Sequence, residues 1–138
     1  MTQEDKQLLL KDLCARLPYG VICWYNSVTP CDSMIIYRAN AQDKLRGIVP
    51  LPYGNIGFMV GISKINALEG DIKPYLRPMS SMTDEEFNEL SDIATITLYP
   101  DGKQITNGKE IDWLNQHHFD YHGLIEKGLA LEAPEGMY

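Results

Sequence analysis

The spacing of apolar positions divides the chain into a helical opening, an extended middle and a mixed second half. Leu10, Leu13, Cys14 and Leu17 fall at i, i+3, i+4 and i+7, one apolar stripe of a helix. Thr2 is placed to cap its start, with Asp5 in the first turn, where the helix dipole favours negative charge. Pro18 ends it, because proline lacks an amide hydrogen and disfavours helix in the residue before it.

From Gly20 to Met79 the period is that of strands. Gly20–Tyr25, Met34–Arg38, Leu45–Leu51 and Phe58–Ile65 are predicted as four of them, with Gly61 marking a bulge or close approach in the last. Pro50 sends the end of the third towards an edge. Ile72–Met79 is extended, and Pro74 and Pro78 are expected to keep it out of any central ladder. Short strands joined by tight turns predict a small curled antiparallel sheet or half-barrel.

In the second half, Thr83-Asp84-Glu85-Glu86 is a capping box, and Met82 and Phe87 hold the positions of a hydrophobic staple. Phe87, Leu90 and Ile93 form the expected buried stripe. Thr95–Tyr99 and Gln104–Thr106 flank Pro100-Asp101-Gly102-Lys103 and predict a hairpin. Asn107 is expected to cap a third helix that buries Ile111 and Leu114, with Trp113 at its margin. A last helix, Tyr121–Lys127, would start at Asp120 and stop at Gly128 in the left-handed position. Residues 134–138 read as a loose tail. The pattern is that of an α+β fold in one domain over residues 1–138.

Length and composition agree: a chain of 138 residues with 44% apolar and 22% charged residues can bury a core without disulfides or a structural metal. The three cysteines, Cys14, Cys23 and Cys31, have no pairing pattern and read as buried thiols of a reducing compartment. An acidic, polar start gives no signal peptide, and no apolar run is long enough to span a membrane. The expectation is a cytoplasmic protein.

The net charge of −7 argues against nucleic acid as a partner, since phosphate contacts need Lys and Arg. Its distribution is uneven. Residues 38–77 carry six basic and three acidic side chains, whereas residues 78–138 carry three basic and twelve acidic ones. Solvated helix faces account for this, but so would an acidic face for a basic protein partner, or self-association between the two halves. Aromatic residues Tyr19, Trp24, Tyr25, Tyr37 and Tyr53 with Arg38, Arg46 and Arg77 leave open a surface that stacks single-stranded bases.

One dense polar cluster stands out, His117-His118-Phe119-Asp120-Tyr121-His122, which holds every histidine of the chain. His118, Asp120 and His122 are the candidate metal ligands, and could serve a metal-dependent hydrolase or nuclease. The competing assignment gives His117 and His118 to a helix C-terminus and Asp120 to the cap of the next helix. No glycine-rich phosphate loop and no nucleophile elbow is present, so no catalytic residue or cofactor is expected.

Lys73-Pro74-Tyr75-Leu76-Arg77-Pro78-Met79-Ser80-Ser81-Met82-Thr83 forms one distinctive stretch. Asp112-Trp113-Leu114-Asn115, continued by His118-Phe119-Asp120-Tyr121 and Gly123-Leu124-Ile125, forms a second. They resemble an uncharacterised protein family of gut Bacteroides-type bacteria and their phages or mobile elements. The resemblance implies no activity. It implies a host-directed binding protein by analogy, and a position 122 that is often arginine, which would weaken a metal site. The reading that follows is a non-enzymatic protein-binding module.

Overall fold

Helix α1 spans Gln3–Arg16, and Thr2 and Asp5 close it with a reciprocal capping box. Here and below, the computed structural model describes residues 2–30, 36–50, 56–60, 63–65, 72–93, 96–98, 104–106 and 108–138. A 3-10 turn over Leu17–Tyr19 carries Pro18, and Gly20 follows at φ 67, in the left-handed region that glycine adopts without strain. The buried face of α1 is Leu9, Asp12, Leu13 and Arg16. It is turned from the stripe expected from apolar spacing, and Cys14 is exposed rather than buried. That face carries Asp12 and Arg16, whose partners His122 and the Phe119 carbonyl lie far along the chain; Cys31 lies outside the described residues.

The sheet has six strands in the order β4-β3-β2-β1-β5-β8. They are β1 (Ile22–Pro30), β2 (Ile36–Pro50), β3 (Ile56–Val60), β4 (Ser63–Ile65), β5 (Ile72–Leu76) and β8 (Leu131–Glu132). The second and third expected strands are one, because residues 36–44 pair with β1 and residues 45–50 with β3. Arg46 is the extra residue of a bulge between Leu45 and Gly47, which lets this long strand bend. The fourth expected strand is instead the hairpin β3–β4, with Gly61 outside the described residues. The sheet curls enough to bring β4 against β1.

Pro74 does not exclude β5 from the interior of the sheet. It is the last residue paired with β1, and the parallel ladder to β8 begins only at Tyr75, so its missing amide interrupts neither. Val21 and Cys23, Phe58 and Val60, and Ile72 and Leu76 alternate inwards with the period of strands. They pack with Leu9 and Leu13 of α1 and with Leu124, Leu129 and Ala130 as the main core.

Helix α2 (Asp84–Ile93) starts at the capping box as read: Thr83 Oγ1 accepts from the Glu86 amide at 3.2 Å, and Glu86 accepts from the Thr83 amide at 3.1 Å. The staple does not close, because Phe87 points outwards and is 60% exposed. Strands β6 (Ile96–Leu98) and β7 (Gln104–Thr106) form the expected hairpin, and its turn lies outside the described residues. Helix α3 (Lys109–Gln116) buries Trp113, Leu114 and Asn115, while Ile111 is exposed. Asn107 lies outside the described residues. Trp113, Leu114 and Phe119 make a second core with Met82, Leu90, Ile93 and Tyr121. The result is an α+β fold with a helix before the sheet and two helices and a hairpin after most of it.

Candidate functional site

The histidine cluster lies where α3 ends against the sheet. His117 and His118 close α3: His118 takes φ 62, and the Phe119 amide reaches back to the Leu114 carbonyl at 3.0 Å, as in a left-handed helix stop. His117 Nδ1 donates to the Trp113 carbonyl at 2.9 Å, with its ring stacked on that indole. The expected helix over 121–127 is a run of turns instead, because Gly123 at φ 72 breaks helical geometry early. Asp120 therefore caps no helix; it braces these turns instead, accepting from the amides of Leu124 and Ile125 at 2.8 and 3.0 Å.

His118, Asp120 and His122 are therefore given three separate tasks. Asp120 spends both oxygens on backbone amides, and His118 stacks on Tyr138 with ring centroids 3.7 Å apart. His122 Nδ1 donates to Asp12 Oδ1 at 2.8 Å. Among the described residues, no three His, Cys, Asp or Glu side chains stand close enough to hold a metal ion.

Asp12 also binds Arg16, through Nε at 2.8 Å and Nη2 at 3.1 Å, and both side chains are fully buried. Arg16 Nη2 continues to the Phe119 carbonyl at 2.6 Å, so α1 is tied to the histidine loop at two points, Asp12 to His122 and Arg16 to Phe119. The apolar pattern conceals this network; the one signal for it is an Asp and an Arg four residues apart. Chemically, an Asp-oriented imidazole could act as a general base. Its ring is held by the Asp12 hydrogen bond and by the tilted Tyr121 ring 4.3 Å away, and the Cys23 thiol near Asp12 is pushed up by burial and then by the Asp12 charge, which keeps it protonated and unreactive.

The end of the chain is not loose. Tyr138 donates its hydroxyl to the Tyr75 carbonyl at 2.8 Å and accepts from the Ile22 amide at 2.9 Å, which joins β1 and β5. Tyr138→Phe removes both bonds and is expected to lower stability by about 1–2 kcal/mol in urea unfolding. An unchanged midpoint would show that water replaces the hydroxyl.

Between this segment and the Arg77–Ser81 turn lies a cleft of about 490 Å³. Pro78, Pro134 and Tyr138 supply its apolar walls and Glu132 and Glu135 its carboxylates. Arg77 lines it as well, but its guanidinium is held bidentately by Glu86 at 2.7 and 2.8 Å and lies 4.2 Å from the centre of the Phe119 ring. The same pairing draws the Glu86 carboxyl down to about 2.

The third feature is a surface. Asp84, Glu85, Glu89 and Asp92 of α2 are exposed, as is Asp112 of α3, and α2 contains no basic residue. Phe87, at 60% exposure, and Ile111, at 40%, stand out on these two adjoining helices. No family model, curated protein or solved structure matches the chain. Among the described residues, no helix is long and apolar enough to cross a membrane.

Proposed function

We propose that the protein is a non-enzymatic binding module whose α2–α3 face takes a basic, partly apolar segment of a protein partner. The observation that carries this is Phe87, a phenyl ring standing in water among carboxylates at a position where the local sequence favours burial. Isolated exposed apolar residues are ordinary. Two of them on packed neighbouring helices, among mostly acidic exposed side chains, are the composition of an interface with an apolar anchor and a charged rim. A symmetric dimer through this face would set carboxylates against carboxylates, which favours a basic partner over a second copy. The enzymatic reading has less support, since the candidate ligands His118, Asp120 and His122 have separate structural partners.

The test is fluorescence anisotropy with a labelled amphipathic lysine–leucine peptide, beside a glutamate–leucine counterpart of the same length. The lysine peptide is expected to bind and the glutamate one not to, with affinity falling as salt rises. Phe87→Ser should weaken binding about tenfold or more, the loss of a central anchor. Equal binding of both peptides, or an indifferent Phe87→Ser, would overturn the proposal.

A further inference from the structure

The cleft between the Arg77–Ser81 turn and the chain end has a chemistry of its own, apart from the α2–α3 face. Its charged lining is Arg77, Glu132 and Glu135. Arg77 is neutralised by the two-point contact with Glu86 and is stacked on Phe119, so the carboxylates of Glu132 and Glu135 set the sign. An anion would meet both of them and find the one guanidinium already occupied.

The walls narrow the ligand further. One face of the Tyr138 ring is covered by the His118 imidazole, with an interplanar angle of 16°, and Tyr138 is among the residues that line the cleft. The ring is fixed in place by its two hydroxyl hydrogen bonds, to the Tyr75 carbonyl and from the Ile22 amide. Pro78 and Pro134 add rigid apolar surface without backbone donors. A fixed aromatic ring, two prolines and two carboxylates suit a flat cation that stacks and donates several hydrogen bonds at once. A guanidinium does both, whereas an ammonium is compact and strongly hydrated.

We infer that this cleft is a seat for an arginine side chain, stacked on Tyr138 and hydrogen-bonded to Glu132 and Glu135. The inference rests on the proposed basic partner for its biological source and names the side chain that partner would present at a second point. The seat itself is independent of α2 and α3. Linking two weak contacts on one segment would raise its affinity well above either alone.

The experiment titrates the whole 15N-labelled chain with doubly blocked arginine and with its neutral isostere, blocked citrulline. Saturable shifts are expected for the amides of Glu132, Glu135, Gly136 and Ser81 with arginine, with a dissociation constant on the order of millimolar. Citrulline should bind about tenfold more weakly or worse, because it keeps the shape and loses the charge. Glu132→Gln with Glu135→Gln, both exposed positions, should abolish the arginine preference while the rest of the spectrum stays unchanged. Equal binding of citrulline, shifts scattered outside the cleft, or no saturation would overturn the inference. Phe87→Ser separates the two readings. It should leave the arginine titration intact, so loss of lysine–leucine peptide binding with a normal arginine response condemns neither. Peptide binding without any arginine response condemns the cleft alone, and the reverse condemns the α2–α3 face alone.

Discussion

Replacing Asp12 with alanine is expected to destabilise the protein by about 3–5 kcal/mol, the largest effect of any single change considered for this chain. Asp12 and Arg16 are both fully buried, and the Asp12 carboxylate is what balances the guanidinium charge. Without it, Arg16 keeps one bond, to the Phe119 carbonyl, and Nη1, which already lacks a partner among the described residues, is joined by two more unpaired N–H groups. The same change releases His122 and leaves the Arg16–Phe119 bond as the remaining buried side-chain hydrogen bond between α1 and the loop after α3 among the described residues. Equilibrium urea unfolding of the variant measures the loss. The double change Asp12→Leu with Arg16→Met should recover most of it, since removing both charges removes the cost of burying either. A mild effect of Asp12→Ala alone, below about 1 kcal/mol, would place water or a rearranged partner at Arg16.

Acidification is expected to remove about 2–3 kcal/mol of stability between pH 6.5 and pH 4, through His118. Burial, and after it the charges of Arg16, His117 and Arg77, lower this imidazole from the ordinary 6.5 to about 4. In that window the unfolded chain takes up a proton that the folded chain refuses. Stability is therefore full above pH 6.5, falls as pH drops towards 4, and loses nothing further from this group below. Glu86 adds a second phase of the same sign lower down. Its carboxyl is held at about 2 by Arg77, so its contribution is present above about 4.5 and lost as pH falls to 2. Urea midpoints measured across this range in the native chain and in His118→Phe separate the phases. The variant keeps a ring to stack on Tyr138 and should be nearly flat between pH 6.5 and about 5, above the Glu86 phase. The same slope in both proteins would assign the upper phase to another group.

The parts of the fold that could be read from residue pattern are those governed by short-range chemistry. The caps at Thr2 and Thr83, the stop at Pro18, the β6–β7 hairpin and the α+β class all depend on residues within a few positions of one another. What could not be read depended on partners far along the chain. The face of α1 is set by Asp12 meeting His122, a separation of 110 residues. Tyr138 looked like the end of a loose tail because its two hydrogen-bond partners lie at Tyr75 and Ile22. Pro74 is admitted to the sheet because the ladders on its two sides change over there, which no local rule contains.

The site shows the same division. The crowding of His117, His118, Asp120 and His122 was visible, and so was the competing assignment as helix-end residues; the structure places His117 and His118 at the end of α3, Asp120 on the amides of a turn rather than at a helix start, and His122 against Asp12. The cleft had no sequence signal, because its walls come from segments some fifty residues apart. The acidic second half was legible as charge, but the exposure of Phe87 was not, since its place in a hydrophobic staple argues for burial.

Hydrogen exchange of the backbone amides, with and without the lysine–leucine peptide, tests the central claim most directly. Binding through the α2–α3 face predicts added protection confined to residues 84–93 and 109–116 and absent in Phe87→Ser. Protection on β1, β2 or β3 with α2 and α3 unchanged would contradict it.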